Sequence, residues 1–205
     1  MKLGVLISGR GSNMASIAAA CPAPDFPAEV AVVVADTPAA GGLEKAAAMR
    51  LATAVVAPGD FADREAFEDA LATTLADHGV EGVCLAGFMR MLTAGFLKRF
   101  PGKVLNIHPS LLPAFPGLDV QQKALDHGVR WSGCTVHFVT EAMDAGPIIL
   151  QAAVAVLRGD DAEALAARIL EQEHRIYPEA VRLFAEGRLR VVGRNVEVEE
   201  HNNAD

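Results

Sequence analysis

The sequence is poor in cysteine, in basic residues and in long apolar runs. Its three cysteines among 205 residues lie far apart and form no Cys-x-x-Cys pair, which argues against a zinc site or a disulfide framework. We therefore expect reduced thiols at Cys21, Cys84 and Cys134, as in a cytoplasmic protein. No apolar run is long enough to span a bilayer, and the first one, residues 3–7, is too short for a secretory signal peptide.

Basic residues are scarce relative to acidic ones. Lys and Arg number 18 against 26 Asp and Glu, so the formal net charge is −8 and the pI is about 5.2. This balance disfavours nonspecific nucleic-acid binding, because the phosphate backbone is attracted to basic surfaces. Anions can still bind at local sites that are rich in hydrogen-bond donors. We therefore expect small molecules as partners, with no nucleic acid and no membrane.

Apolar content is abundant, at 51% hydrophobic residues and a mean hydropathy of +0.25, which is ample for the core of one domain. Short continuous apolar runs alternate with helical patterns. The expected strands are residues 3–7, 30–35, 54–57, 83–86 and 104–107, and the expected helices are residues 13–20, 42–50, 63–78 and 93–100. Continuous apolar strands are typical of a parallel sheet covered on both faces. The alternation therefore predicts an α/β fold with a doubly wound, mostly parallel sheet.

The last third of the chain adds strands and a long amphipathic helix. The further expected strands are residues 132–139, 148–156, 189–192 and 196–198, the last two as a short hairpin. Asp160 and Glu163 fit a capping box at the start of the helix. Pro178 is expected to kink that helix or to begin a second segment. We expect one domain over residues 1–198 and a polar, disordered tail over residues 199–205.

The stretch Ser8-Gly-Arg-Gly-Ser-Asn13 follows the first expected strand and opens the first expected helix. Glycines let a backbone approach a ligand closely, and free N–H groups at a helix start favour a phosphate. Ser12 and Asn13 add side-chain donors, and Arg10 adds a positive charge. The stretch lacks the lysine of a Walker motif and the third glycine of a dinucleotide fingerprint, whose place Met14 takes. The stretch is therefore either a phosphate site of mononucleotide size or an ordinary glycine-rich turn.

Asn106 and His108 stand two residues apart at the end of an expected strand, so an extended backbone directs both the same way. That strand end lies on the edge where open α/β sheets bind ligands. Asp144 follows in the turn over residues 143–147. An amide can hold an oxyanion, an imidazole can move a proton near neutral pH, and a carboxylate favours the charged imidazole. This set suits acyl transfer; the alternatives are a loop asparagine, a surface histidine and an ordinary turn aspartate.

Five further features are weaker. Residues 87–92 follow an expected strand and offer apolar side chains for a flat ring, or plain core packing. Arg64 opens a helix, where it either meets a carboxylate or is solvated. Glu173 lies on the long helix, where a solvated face is the alternative. His137 sits inside an apolar strand and is left open between a core histidine and a site residue, while Asp36 is discounted because the dinucleotide fingerprint is incomplete.

At these motifs the chain resembles the phosphoribosylglycinamide formyltransferases, or glycinamide ribonucleotide transformylases, over nearly its whole length. The Asn-x-His-Pro-Ser-Leu-Leu-Pro string with a downstream Asp-x-Gly is specific to the formyltransferase superfamily. The Ser-Gly-x-Gly-Ser-Asn start narrows the resemblance to the glycinamide branch. The segments that carry it are residues 8–13, 85–90, 106–113, 116–117, 133–138, 144–147 and 173–178.

The resemblance implies a Rossmann-like formyltransferase fold and a set of site residues. It implies catalysis by Asn106, His108 and Asp144; binding of the substrate phosphate and ribose by Gly11, Ser12, Asn13 and Glu173; and folate binding by Arg64, Met89, Arg90, Met91, Leu92 and Asn106. Gln121 departs from the family, which often has histidine there. This departure puts secondary polar contacts near the formyl group in question.

The implied reaction transfers a formyl group from the co-substrate 10-formyltetrahydrofolate to the amine of glycinamide ribonucleotide, in de novo purine biosynthesis. Asn106 and a charged His108 would hold the oxyanion, with Asp144 keeping the charge on His108. We expect no metal, no covalent enzyme intermediate, and a monomer or homodimer. The rivals are a 10-formyltetrahydrofolate hydrolase, another formyltransferase and, least favoured, a non-enzymatic folate- or nucleotide-binding module. Such hydrolases carry an extra N-terminal domain and the tRNA and sugar enzymes a C-terminal one, for which we expect no room.

Overall fold

A computed structural model describes residues 1–200 of the chain. Most of the expected tail, residues 201–205, lies outside these described residues. The backbone N–H of Glu199 donates to the carbonyl of Arg188 at 2.9 Å, so the described chain is paired with the preceding hairpin up to that point. The boundary of the domain at residue 198 stays a prediction.

The described residues form one sheet whose strands run in the order β3-β2-β1-β4-β5-β6-β7-β9-β8. These strands are β1 (Lys2–Ile7), β2 (Glu29–Ala35), β3 (Thr53–Val55), β4 (Gly82–Leu85), β5 (Val104–His108), β6 (Trp131–Phe138), β7 (Ile148–Ala155), β8 (Leu189–Val192) and β9 (Asn195–Val198). The first five pair in parallel. The chain passes from β1 to β2 and β3 on one side, and then to β4 and β5 on the other. The order reverses between β1 and β4, and the loops after these two strands are where such sheets bind ligands.

Beyond β5 the sheet is mixed, because β7 pairs with β9 in parallel whereas the other pairs are antiparallel. β6 pairs antiparallel with both β5 and β7, which puts Asn106 directly opposite His137 and His108 opposite Thr135. An irregularity in the β6–β7 pairing falls between Val136 and His137. Irregularities of this kind re-aim side chains and often lie beside active sites.

Helices cover both faces of the sheet and give it two cores. The helices are α1 (Ser12–Ala20), α2 (Gly42–Ala48), α3 (Arg64–Asp77), α4 (Ala94–Leu97), α5 (Val120–Asp126) and α6 (Ala162–Ala185), with a 3-10 turn at Pro58–Asp60. One core lies under α1 and α6, and the other lies under α3 and α4. The fully buried hydroxyl of Tyr177 on α6 bonds to the carbonyl oxygens of Leu85 and Leu105, at 3.0 and 3.2 Å. This contact fixes α6 against β4 and β5.

The predicted fold class is confirmed, and the differences are local. The expected helix over residues 93–100 is only four residues long, because the chain tightens into i→i−3 bonds at Arg99 and Phe100 before Pro101. Helix α5 was not expected, since it follows a proline-rich loop and is short. No helix within residues 1–200 is both long enough and apolar enough to cross a bilayer.

Helix α6 corrects one expectation, its N-cap, and one of the two alternatives for Pro178. Its N-cap is Asp161, whose side chain accepts the N–H of Ala164 at 2.8 Å, and not Asp160. The guanidinium of Arg168 holds Asp160 instead, at 2.7 and 2.9 Å, and these bonds lower the pKa of Asp160 to about 2. Pro178 begins no second segment, because the helix is continuous from Ala162 to Ala185. Buried side chains on both sides of Pro178 anchor the helix, which outweighs one missing backbone bond.

Candidate active site

A cavity of about 580 Å³ lies beside the ends of β4 and β5. The loop after β4 forms one wall, and the end of β5 with His137 forms another. The β6–β7 connection and the start of α5 close the remaining sides. The lining residues are 85, 87–92, 106–109, 117–121, 137, 139, 140 and 142–144. Asn106, His108 and Asp144 therefore all face one space, as the sequence predicted.

His108 is buried between two oxygen acceptors. Its Nε2 lies 2.9 Å from the carbonyl oxygen of Phe115, and its Nδ1 lies 3.5 Å from Oδ2 of Asp144. A carbonyl oxygen accepts only, so Nε2 carries a proton. Both ring nitrogens of His108 thus face an oxygen atom.

Asp144 is held in a tight turn. Its backbone is left-handed, with φ of 49°, and its Oδ2 accepts the N–H of Gly117 at 2.8 Å. Gly146, two residues later, has no room for a side chain, because a Cβ there would lie 1.7 Å from the carbonyl oxygen of Phe138. Residues 143–147 therefore need both a residue that tolerates positive φ and a glycine to aim one carboxylate at His108.

His137 lies in the site. The sequence left open whether it is a core histidine or a site residue, and the structure decides for the site. Its Nε2 lies 3.2 Å from Nδ2 of Asn106 and 3.8 Å from Oδ1 of Asp144. Burial lowers the pKa of His137, although the bond to Phe138 and the charge of Asp144 oppose this shift. His137 is therefore neutral near pH 7. The pairing of His137 with Asn106 across β5 and β6 could have identified His137 as a site residue, but that pairing is known only from the strand register.

Two polar side chains that the sequence did not single out, the buried Thr135 and the exposed Gln151, support the loop after β5. The hydroxyl of Thr135 donates to the carbonyl of Ser110 at 2.7 Å and accepts the N–H of Leu112 at 3.1 Å. Gln151 donates to both the Leu112 carbonyl and the Thr135 hydroxyl, at 2.9 Å each. These bonds fix the loop that supplies the Phe115 carbonyl to His108.

The glycine-rich loop, residues 8–13, is called the phosphate loop after the ligand that the sequence predicts for it, and it presents backbone donors. Gly11 has φ of 66° and precedes the first residue of α1, and no side chain in residues 1–200 caps this helix. The first N–H groups of a helix have no partner within it, so those after Gly11 are available to a ligand. A Cβ on Gly11 would lie 2.6 Å from Cα of Gly42, so the loop packs tightly on the start of α2. The N–H of Gly42 also donates to the Gly9 carbonyl, at 2.9 Å.

Asn13 and Glu173 meet beside the phosphate loop. Nδ2 of Asn13 donates to Oε2 of Glu173 at 2.7 Å, and both side chains are buried. The solvated helix face considered for Glu173 is therefore wrong, because α6 packs on α1 at this point. Burial raises the pKa of Glu173, although the bond from Asn13 lowers it. Oδ1 of Asn13 is buried with no partner in the described residues, so this pair has unused hydrogen-bonding capacity.

The apolar slot, residues 87–92, is tied to the phosphate loop. The N–H of Ser8 donates to the carbonyl of Gly87 at 3.1 Å, and the hydroxyl of Ser8 accepts the N–H of Met89 at 2.9 Å. Met89 and Met91 are 67% and 46% exposed, so each presents a flexible apolar side chain at the cavity, whereas Leu92 is buried. The two loops at the switch point are therefore one connected unit.

The two arginines near the slot are engaged by carboxylates. Arg90 donates from Nε to Oδ2 of the buried Asp36 at 2.7 Å. Arg64 bonds from Nε to Glu68 at 3.1 Å and from its terminal nitrogen to the carbonyl of Met91. Arg64 lies outside the cavity lining, so it supports the slot through Met91. A direct contact between Arg64 and a folate stays a prediction.

Two further observations bear on ligands. Gln121 lines the cavity, so the position where the family often has histidine faces the same space as the three catalytic candidates. Among residues 1–200, no three His, Cys, Asp or Glu side chains cluster as a metal-binding group.

A cavity next to the switch point of a doubly wound sheet, lined by an amide, an imidazole and a carboxylate, suits an enzyme that transfers an acyl group. Residues 1–181 match the family model described as "Formyl transferase", and the chain belongs to this family.

The chain is similar to enzymes named for one branch of that family. It is 42% identical to the phosphoribosylglycinamide formyltransferase of Escherichia coli over 191 residues, which cover 93% of this chain and 90% of that protein. It is 44% identical to the trifunctional purine biosynthetic protein adenosine-3 of Bos taurus over 190 residues, but spans only 19% of that protein. The crystal structure of glycinamide ribonucleotide transformylase 1 from Symbiobacterium toebii superposes with a TM-score of 0.96 at 54% identity, covering 98% of this chain and 94% of that one.

Proposed function

We propose that this chain is a phosphoribosylglycinamide formyltransferase. It transfers the formyl group of 10-formyltetrahydrofolate to the amine of glycinamide ribonucleotide, a step of de novo purine biosynthesis that gives the formylated nucleotide and tetrahydrofolate. The likeness to the E. coli enzyme supports this, because it extends over nearly all of both chains. The single structural observation that carries it is the cavity, where Asn106, His108 and Asp144 converge one loop away from the phosphate loop.

The ligands have matching places around that cavity. The N–H groups after Gly11, with Ser12 and Asn13, would hold the nucleotide phosphate. Glu173, already an acceptor for Asn13, would accept from the ribose hydroxyls. The folate ring would lie in the slot of Met89, Arg90, Met91 and Leu92, and its reactive nitrogen would face Asn106. Since the two loops are bonded through Ser8, both substrates would be positioned by one rigid unit.

The reaction is a direct attack. The substrate amine forms a bond to the formyl carbon, and the carbonyl oxygen becomes an oxyanion held by Nδ2–H of Asn106 and by His108. Collapse of this intermediate breaks the bond to the folate nitrogen, which receives the proton that the amine loses. Both nitrogens of His108 face protein acceptors, so its donation to the oxyanion requires the Phe115 carbonyl to give up its bond. Asp144 keeps the charge on His108 throughout.

The main rival is hydrolysis of 10-formyltetrahydrofolate, in which water replaces the amine. The Asn13–Glu173 pair and the uncapped start of α1 favour transfer, because hydrolysis has no use for a phosphate and ribose site. Small molecules are thus the proposed partners. A cytoplasmic location and a monomer or homodimer remain our expectations.

The experiment measures tetrahydrofolate formation from 10-formyltetrahydrofolate with and without glycinamide ribonucleotide. We expect turnover only with the nucleotide, and formylated nucleotide, detected by mass spectrometry, in equal amount to tetrahydrofolate. Equal turnover without the nucleotide would instead establish a hydrolase. Folate binding without turnover in either mixture would leave only a binding module. Glycinamide without its phosphoribosyl group is the control for the phosphate loop.

A further inference from the structure

His137 occupies a place that the reaction as proposed does not use. It is 2% exposed, lies on β6 directly opposite Asn106 on β5, and lines the cavity. The charged or titratable groups that face it are Asp144 and His108. A buried imidazole in contact with two catalytic candidates is more than core packing, because each of its nitrogens has a specific partner.

The partners of His137 determine which nitrogen carries its proton. Nδ1 lies 2.9 Å from the carbonyl oxygen of Phe138, and this oxygen can only accept. The proton of a neutral His137 is therefore on Nδ1, which leaves Nε2 as an acceptor. The atom 3.2 Å from Nε2 is Nδ2 of Asn106, which can only donate. The two hydrogen bonds therefore donate in the same direction, from Asn106 to His137 and from His137 to the carbonyl of Phe138.

We propose that His137 is a positioning residue that fixes the amide of Asn106 with its nitrogen on the side that the reaction needs. One N–H of Asn106 is bound by His137, and the second N–H is left for the oxyanion. The inference rests on the proposed function, since it assigns His137 a task in the same reaction.

The orientation matters because an amide has two unlike ends of nearly equal shape. If the amide of Asn106 turned by half a rotation, it would present its carbonyl oxygen where the N–H now lies. An oxygen cannot donate to the developing oxyanion and would repel it. A neutral imidazole with its proton on Nδ1 excludes that orientation, because Nε2 accepts from a nitrogen but cannot donate to an oxygen.

Two substitutions at His137 separate its two bonds. In His137→Gln, the side-chain oxygen takes the place of Nε2 and can accept from Asn106, but nothing replaces Nδ1. In His137→Asn, the side-chain nitrogen takes the place of Nδ1 and can donate to Phe138, but nothing reaches Asn106. The pair is matched in polarity, and thermal unfolding of each variant checks that both fold.

We expect His137→Asn to lower kcat by roughly 10- to 100-fold with KM of both substrates little changed, and His137→Gln to stay within about 3-fold of wild type. Combined with Asn106→Ala, which already lacks the donor, His137→Asn should cost less than about 2-fold more. Wild-type kcat in His137→Asn would overturn the proposal. Equal losses in both single variants, or additive losses in the double variant, would also overturn it.

A measurement on the folded wild-type protein tests the proton position without activity. The ¹⁵N resonances of His137, assigned by their loss in His137→Gln, should show a protonated Nδ1 and an unprotonated Nε2 near pH 7. A protonated Nε2 would overturn the proposal. If wild-type protein transfers no formyl group, the proposed function fails by itself, and this spectrum still decides whether His137 accepts from Asn106 and so fixes the orientation of its amide.

Discussion

The phosphate loop and the catalytic wall, formed by Asn106, His108 and Asp144, both lie on loops and strand ends of one sheet. They differ in whether the backbone or the side chains supply the functional groups. In the phosphate loop, most of the proposed donors are backbone N–H groups made available by Gly11 and the start of α1. In the catalytic wall, every proposed group is a side chain, and each is held by another side chain or by a loop backbone atom.

The difference follows from the tasks. A phosphate keeps the same charge throughout the reaction, so fixed N–H dipoles at a helix start suit it. An oxyanion and a moving proton exist only during the reaction. The proton needs a group whose protonation can change, and the oxyanion needs a hydrogen-bond donor that points directly at it. Damage to the wall should therefore reduce kcat, whereas damage to the loop should reduce nucleotide binding and stability.

The largest effect is expected from Asp144→Asn. The amide can still accept the N–H of Gly117, so the turn is kept, but the negative charge beside His108 is lost. We expect kcat to fall by about 100- to 1000-fold, the range for loss of a group that supports proton transfer or an oxyanion. Steady-state kinetics should show both KM values little changed. Asp126→Asn, an exposed change on α5, is the control, and wild-type turnover in Asp144→Asn would remove Asp144 from the mechanism.

A smaller effect, on stability rather than on kcat, is expected from Gly11→Ala. The new Cβ would lie 2.6 Å from Cα of Gly42 and would also require a positive φ. We expect a loss of about 1–3 kcal/mol in the free energy of unfolding, from backbone strain and overpacking, together with a higher nucleotide KM. Urea unfolding measures the first quantity. Gly9→Ala is the matched control, because no atom lies within 4 Å of a Cβ there, and equal losses in both variants would contradict the packing argument.

The smallest effect is expected from Glu173→Gln, and it depends on pH. Because the pKa of Glu173 is raised by burial, the folded wild-type protein loses stability as pH rises from the ordinary glutamate value through the raised one. Glu173→Gln has no carboxyl group to titrate there, so its stability does not fall in this way as pH rises. Its stability relative to wild type should increase from pH 4 to pH 7.5, on the order of a few degrees in Tm or less. Glu179→Gln, an exposed change on the same helix, is the control.

The same variant should also raise the nucleotide KM, because a neutral amide accepts less strongly from ribose hydroxyls than a carboxylate does. A stability difference that does not change with pH would contradict the assigned burial effect. An unchanged nucleotide KM would place the ribose elsewhere.

The sequence predicted the parallel strands and the shared orientation of Asn106 and His108 well, and for one reason. Both depend on short-range patterns: continuous apolar runs for β1, β2, β4 and β5, and a two-residue spacing for Asn106 and His108. It was less informative for α6. Whether Asp160 or Asp161 caps that helix depends on the position of Arg168, two turns further along.

The contacts that the sequence did not reveal are all long-range. The bond between Asn13 and Glu173 joins residues 160 apart, and the tie between Ser8 and Met89 joins residues 81 apart. His137 was ambiguous because an apolar strand surrounds it, and only the register of β5 against β6 places it opposite Asn106.

The sequence by itself determined the α/β class, the donor-rich turn after the first strand and the three side chains proposed for catalysis, because these follow from local periodicity and from residue chemistry. Only the tertiary structure decided which groups act together. It paired Asn106 with His137, placed Asp144 beside His108 and buried Glu173 against Asn13. The physical reason is that a hydrogen bond needs its two atoms within about 3 Å, and for distant residues that distance is set by strand register and helix packing.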